Sequence, residues 1–268
     1  MKQWLQETHG VKFELTRHFL ARMFESELFA TRGQWQSIAI GAFATILPAW
    51  MLFGNYRPKY RHLAHLASPI PFRSAAVADE LSLLTLLMAL SGLIALLQWQ
   101  SLFPSKRDYF ALAALPIRSR QIFLARFAAV TIFITAVVLV TNVPLSIAIP
   151  LQITGQWQKN PSMMVNIAAF FIAAVLACWF VFLGAMALQG TLLHLLPRKL
   201  FARVSVYVQG IGMAVCFLAA LFSWTIGAWQ PAMVARLPEF GRWIPPVWFT
   251  GLHETLLGDG DAFFRAMN

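Results

Sequence analysis

The sequence contains few charged residues. Aspartate, glutamate, lysine and arginine together make up 12% of its 268 residues, whereas hydrophobic residues make up 59%. Soluble domains carry about 25% charged residues, because their surfaces must be solvated. The scarcity of charge therefore excludes an ordinary soluble domain and favours a protein embedded in a membrane.

Charge is missing altogether from five long stretches of the chain. A membrane-spanning helix needs about 20 mainly apolar residues to cross roughly 30 Å of hydrocarbon, and each stretch is longer than that. The pattern predicts an all-α, polytopic transmembrane helical bundle with about five spans in a transmembrane domain at 33–235. The charge-free stretches are 33–56, 81–105, 127–158, 160–197 and 204–235. The predicted spans are about 36–54, 82–103, 121–148, 163–193 and 204–228.

Sequence signatures of catalysis, metal binding and nucleotide binding are also missing. The sequence has no Gly-x-x-x-x-Gly-Lys-Ser/Thr loop, so the chain is not expected to hydrolyse ATP itself. Cys178 and Cys216 are interpreted as packing residues within spans. His62 and His65 lack an accompanying acidic or cysteine cluster. We therefore predict no catalytic residue, no metal and no cofactor.

An amphipathic helix is predicted at 11–30, within a cytoplasmic N-terminal region at 1–32. Apolar residues recur there every four positions on one side, and charged residues occupy much of the remainder. This pattern is typical of a helix that lies in the membrane interface. No cleavable signal peptide is expected, because no short apolar core precedes a cleavage site. The candidate interfacial residues are Arg17, Phe19, Arg22, Met23 and Phe24.

The polar segment at 102–127 is more elaborate than a connector between two spans requires. Ser105, followed three residues later by Asp108, is the signature of a capped helix start, and Pro116 ends that helix. Two interpretations remain open: the segment docks a partner protein, or it lies in the interface with its basic residues on lipid phosphates. The candidate docking residues are Ser105, Lys106, Arg107, Asp108, Tyr109, Phe110, Leu112, Arg118 and Arg120.

The distribution of lysine and arginine predicts the orientation of the chain. The three segments on the side of the N-terminus hold thirteen of these residues, and the three on the other side hold eight. Cytoplasmic loops carry the excess of basic residues, so we expect a cytoplasmic N-terminus and an exterior segment at 236–268. The first set of segments is 1–35, 103–126 and 194–204; the second is 55–80, 152–162 and 229–268.

Polar residues within the predicted spans are few. Asp79 and Glu80 are placed at the rim of the second span, so the span interiors are expected to hold no ionisable side chain. This argues against an ion-driven carrier, which holds its coupling ion inside the membrane. Asn142 and Asn166 form interhelical hydrogen bonds or line a transport pathway, and the sequence leaves both interpretations open.

Three segments resemble the membrane subunits of type-2 ATP-binding-cassette (ABC) exporters, of the large bacterial permease type. They are the amphipathic helix at 11–30, "LQWQSLFPSKRDYFALAALPIRSRQIFLAR" at 97–126 and "PPVWFTGLHETLLG" at 245–258. The resemblance implies an inner-membrane permease, or its N-terminal half, that exports an unidentified substrate using ATP hydrolysed by a separate cytoplasmic ATPase. It also implies that 11–30 and 105–115 meet this ATPase.

The resemblance further implies a second permease half or a dimer partner. The net charge of +10 is interpreted as basic loops that face anionic lipid and the cytoplasm, so membrane lipid is an expected partner and nucleic acid is not. Such permeases usually have six spans per half, whereas five are predicted here. The residues alone also admit two other classes of function. One is a non-transporting membrane scaffold or assembly subunit. The other is an intramembrane lipid-modifying enzyme, whose catalytic pair would have to come from 55–80 or 229–268.

Overall fold

The described part of the protein is almost wholly helical and contains no strand, which confirms the all-α class. The computed structural model describes residues 13–21, 56, 58–63, 65, 70–99, 119–154, 162–226 and 243–258. Within these ranges there are seven helices and no strand. The helices are α1 (13–21), α2 (58–63), α3 (Ile70–Leu97), α4 (Ser119–Thr154), α5 (Met163–Leu195), α6 (Arg198–Ile226) and α7 (Pro245–Leu256).

Four of these helices are long and apolar enough to cross a membrane. A helix of 25 residues extends about 37 Å at 1.5 Å per residue, which exceeds the hydrocarbon thickness. The protein is therefore a multi-pass membrane protein. The candidate spans are Ser74–Leu97, Arg120–Ala148, Met163–Leu195 and Lys199–Ser223. The span predicted at 36–54 lies outside the described residues.

Two helices begin earlier than their predicted spans. Helix α3 begins at Ile70 rather than near residue 82, and Pro71 follows at a position where the missing N–H of proline costs little. Helix α6 begins at Arg198 rather than near residue 204. The turn before α6 is tight, because only two residues separate it from the end of α5 and the backbone N–H of Leu200 already donates to Pro197 O at 2.9 Å.

The chain divides into two compact units. The first comprises 1–42 and 97–137, and its described part includes α1 and the first half of α4. Its core is a small apolar cluster of residues from these two helices. The second unit comprises 43–96 and 138–268. It holds α2, nearly all of α3, the second half of α4, and α5 to α7.

Within the second unit, α3 and α6 pack against each other in opposite directions. The Ser82 hydroxyl donates to the backbone carbonyl of Ser223, whereas Gln209 Nε2 donates to the carbonyl of Leu96 at 2.8 Å. Gly92 lies midway, where an added Cβ would come within 2.6 Å of Cys216 Sγ. The missing side chain of this glycine therefore permits the close approach of the two helices.

Helix α7 packs along α5 in the same unit. The Phe180 ring lies 5.8 Å from the Trp248 ring and 5.7 Å from the Phe249 ring, measured between centroids. Pro245 and Pro246 begin this 12-residue helix, because proline is favoured in the first helical turn.

Candidate functional site

Helix α1 is held against the start of α4 by apolar contacts. Leu15 and Phe19, one turn apart on α1, are buried at 8% and 4% exposure. They pack in a cluster with Ile122, Ala125 and Ala129 of α4. The small side chains of the two alanines let the backbones of the helices approach closely.

A cation–aromatic contact reinforces this packing. The Arg126 guanidinium lies over the Phe19 ring, 5.4 Å from its centroid, a distance at which the ring attracts a cation. On the opposite side of α1, Arg17 and Glu14 form a loose ion pair at 4.0 Å with both side chains mostly exposed. The helix thus buries an apolar stripe and presents its charges outwards.

The described residues include only part of the predicted docking surface. Arg17 and Arg120 are exposed and Phe19 is buried. Phe19 therefore serves to attach α1, and among the described candidates the two arginines are exposed to another molecule. The remaining candidates lie outside the described residues: Arg22, Met23, Phe24, Ser105, Lys106, Arg107, Asp108, Tyr109, Phe110, Leu112 and Arg118.

Asn142 is fully buried within the second unit. Its Nδ2 donates to Val138 O at 2.8 Å and to Cys178 Sγ on α5 at 3.5 Å. Its Oδ1, and the hydroxyl of Ser146 one turn later, have no hydrogen-bond partner among the described residues. The contact with α5 supports an interhelical role, while the two unsatisfied oxygens are suited to a buried water.

A buried ion pair joins α2 to α3. Lys59 Nζ donates to both carboxylate oxygens of Asp79, at 2.7 and 2.8 Å. The hydroxyl of Tyr60 donates to the same carboxylate at 2.6 Å. Burial, aided by the charge of Asp79, raises the pKa of Tyr60 well above its ordinary value, so this hydroxyl remains a donor. Three hydrogen bonds from two donor groups therefore compensate the desolvation of Asp79.

The next residue of α3 forms a second buried pair, with α7. Glu80 Oε2 lies 2.8 Å from His253 Nδ1, and both side chains are buried. The other ring nitrogen, Nε2, lies 3.1 Å from Asn166 Oδ1 on α5, and the Phe170 ring packs edge-on against the imidazole at 5.8 Å. Three helices therefore meet at one histidine.

The protonation of His253 follows from these neighbours. Burial by itself lowers the pKa of the imidazole, but the Glu80 carboxylate, its hydrogen bond and the nearby Glu254 raise it, and the net pKa lies above the ordinary value. In the doubly protonated ring, Nδ1 donates to Glu80 and Nε2 donates to Asn166.

Sequence reasoning missed this buried polar network. Asp79 and Glu80 were expected at the rim of a span, yet they lie inside the candidate span Ser74–Leu97 and are 1% and 3% exposed. The expectation that spans lack ionisable residues is therefore wrong for α3. Their partners stand 20 and 173 positions away. The one available signal was two adjacent acids leading directly into an apolar run.

Comparison with known proteins adds no relative. No protein-family model, no curated protein and no solved structure matches the chain.

Proposed function

We propose that the chain is the permease part of an ABC exporter, moving its substrate across the bacterial inner membrane with ATP hydrolysed by a separate cytoplasmic subunit. One observation carries the proposal. Helix α1, which includes the predicted interfacial residues Arg17 and Phe19, packs on the first turns of α4, where the predicted docking residue Arg120 lies. Described residues of both surfaces that were predicted to meet the ATPase therefore belong to one compact unit.

The distribution of charge on α1 supports docking. Its apolar stripe is already covered by Ile122, Ala125 and Ala129 of α4, so the helix does not need a partner protein to bury that stripe. Arg17 and Glu14 remain exposed at 73% and 69%, and Arg120 is exposed at the start of α4. Exposed charges steer association and fix orientation, and this is the contribution expected from a surface that meets a soluble ATPase.

The contacts within each unit are compatible with the proposed topology. In the first unit, α1 touches the beginning of α4, and both were predicted on the cytoplasmic side. In the second unit, Glu80 contacts His253. The segments that hold these two residues, 55–80 and 229–268, were both predicted on the exterior side. The proposed orientation has the N-terminus in the cytoplasm and 236–268 outside.

A lipid-modifying enzyme is the second candidate, because Glu80 and His253 come from the two segments that could supply a catalytic pair. Their geometry argues against catalysis. His253 is 0% exposed, and both of its ring nitrogens are engaged. A general base must reach the proton that it removes, and this imidazole has no face open to a substrate.

Affinity purification of the full-length protein from native membranes tests the proposal. We expect a stoichiometric ATPase with a phosphate-binding loop to co-elute, and to be lost when 105–115 is replaced by a flexible linker of equal length. Replacement of the exposed residues Arg61 and His62 by alanine is the matched control and should retain the ATPase. Repeated recovery of well-folded protein without an ATPase would instead favour the scaffold or enzyme class.

A further inference from the structure

Three metal-ligating side chains converge in the interior of the second unit. Glu80 comes from α3, and His253 and Glu254 come from α7. One ligand atom of each lies within 4.8 Å of the others, and all three residues are buried. An imidazole nitrogen and two carboxylate oxygens form a donor set that suits borderline transition metals such as zinc.

Asn166 accepts a hydrogen bond from the imidazole, as the residue behind a metal-bound histidine usually does. Its Oδ1 lies 3.1 Å from His253 Nε2 and can accept the proton on that nitrogen. The tautomer protonated at Nε2 leaves the Nδ1 lone pair directed at Glu80. Metal-bound histidines usually donate their second ring N–H to an oxygen acceptor in this manner, which fixes the tautomer and ring orientation.

A proton or a metal ion must lie between His253 Nδ1 and Glu80 Oε2. These two atoms are 2.8 Å apart, and a lone pair facing a carboxylate at that distance is repulsive unless a proton or a metal ion lies between them. A divalent ion can take the place of that proton when the imidazole is neutral, because a metal-bound histidine binds through a deprotonated ring nitrogen.

We propose that Glu80, His253 and Glu254 form a binding site for Zn²⁺, with Asn166 as its positioning residue. Zinc bonds to nitrogen and oxygen are about 2.0–2.2 Å long, so tetrahedral ligands lie about 3.3 Å apart. The distance between His253 Nδ1 and Glu80 Oε2 must increase by about 0.5 Å to reach that spacing. The ion would tie α7 to α3. The site stands independently of the proposed ATPase.

Zinc binding is measured on the full-length protein in detergent, carrying a tag free of histidine. The protein is treated with EDTA, dialysed against buffered ZnCl₂, and analysed for metal content and thermal unfolding. We expect about one zinc per chain and a Tm that rises with zinc concentration, because an ion that binds only the folded state stabilises it. Calcium should produce no shift, since it prefers oxygen ligands.

Conservative variants locate the ion. Glu80→Gln and Glu254→Gln keep the side-chain shape but remove the anionic ligand, and each should weaken zinc binding by more than about tenfold. Asn166→Leu should weaken it by about 10- to 100-fold without abolishing it. The matched control is His62→Ala with His65→Ala, two exposed histidines, and it should bind zinc as the unaltered protein does.

Two results would overturn the site. The first is unaltered protein that neither takes up zinc nor gains thermal stability from it, and this result does not depend on any variant folding. The second is zinc uptake that is lost in the His62 and His65 variant but kept in Glu254→Gln, which would place the ion on the surface histidines. Neither result bears on ATPase association, so the proposed function is tested separately.

Discussion

Two regions of the molecule differ in where their charged side chains lie. Where α1 packs on α4, apolar side chains such as Phe19 lie inside and charged ones such as Arg17 point outwards. Around the first half of α3, Asp79 and Glu80 lie inside and are neutralised by Lys59 and His253. Exposed charges can interact with another molecule, whereas buried charges that are paired within the chain cannot. Only the first region is suited to docking.

The two regions also differ in what stabilises them. The α1–α4 contact depends on burying apolar surface, so truncation of a core side chain weakens it directly. The α3 region depends on ion pairs and hydrogen bonds between charged groups, and each of these groups would be costly to bury without its partner. Removing one partner there leaves the other without its hydrogen bonds or counter-charge. The following predictions separate these two kinds of stabilisation.

The largest effect is expected from Phe19→Ala. This side chain is 4% exposed and also carries the Arg126 contact, so its truncation should cost about 3 kcal/mol, the lower end for a buried phenylalanine. Hydrogen exchange of residues 13–21 should accelerate by about 100-fold. Phe13→Ala is the control, because Phe13 is 67% exposed. Equal exchange in both variants would show that α1 is not attached through Phe19.

Lys59→Ala should have the next largest effect. The substitution leaves Asp79 buried with Tyr60 as its remaining donor among the described residues of α2, and loss of one partner from a buried pair costs about 3–5 kcal/mol. Because Lys59 is itself 33% exposed, we expect about 2–3 kcal/mol. Thermal unfolding in detergent measures the loss. Arg61→Ala, two residues away and exposed, should be nearly neutral, and a similar loss there would contradict the assignment.

Tyr60→Phe isolates one hydrogen bond within the same pair. The variant keeps the buried ring but removes the hydroxyl that donates to Asp79 at 2.6 Å. A hydrogen bond to a charged group contributes about 1.5–3 kcal/mol, and we expect about 1.5 because Lys59 still compensates the carboxylate. Tyr207→Phe serves as the control, since Tyr207 is 72% exposed. An unchanged Tm in Tyr60→Phe would mean that the hydroxyl is dispensable.

Arg17→Ala should have the smallest effect on stability and a clear effect on association. Its pair with Glu14 is exposed and 4.0 Å long, so its loss should cost less than about 0.5 kcal/mol. If Arg17 faces the ATPase, the association rate should fall and its dependence on salt should weaken. Glu14→Ala is the matched control, with the opposite change in charge. Binding that is equal in all three proteins would exclude α1 from the docking surface.

Hydropathy and charge predicted the long helices well, because both depend on local composition. The spans expected at 121–148 and 163–193 correspond to α4 and α5. The start of α3 was missed because Asp79 and Glu80 were taken as the end of the membrane segment. Their charges are compensated by residues far along the chain, and no local pattern reports such a pairing.

Helix α7 and the polar network were beyond prediction for related reasons. A proline inside a helix breaks it, whereas a proline in the first turn is favoured. The sequence near a proline does not show which of these two positions it occupies. His253 follows an apolar stretch, and no recognised metal-binding sequence motif surrounds it. Its contacts with Glu80 and Asn166 arise only when three helices pack together. The sequence indicated Asn166 as either an interhelical or a pathway residue, but not its partner.

The most direct measurement is ATPase retention by the purified permease after charge reversal in the docking stretch. The variant carries Lys106→Glu and Arg107→Glu, and the control carries Arg61→Glu in the segment proposed to lie outside. Both are reconstituted into lipid nanodiscs and mixed with the co-purifying ATPase. We predict normal retention by the control and loss of both retention and substrate transport in the variant. Retention and transport that survive in a correctly inserted variant would contradict the permease assignment of this surface.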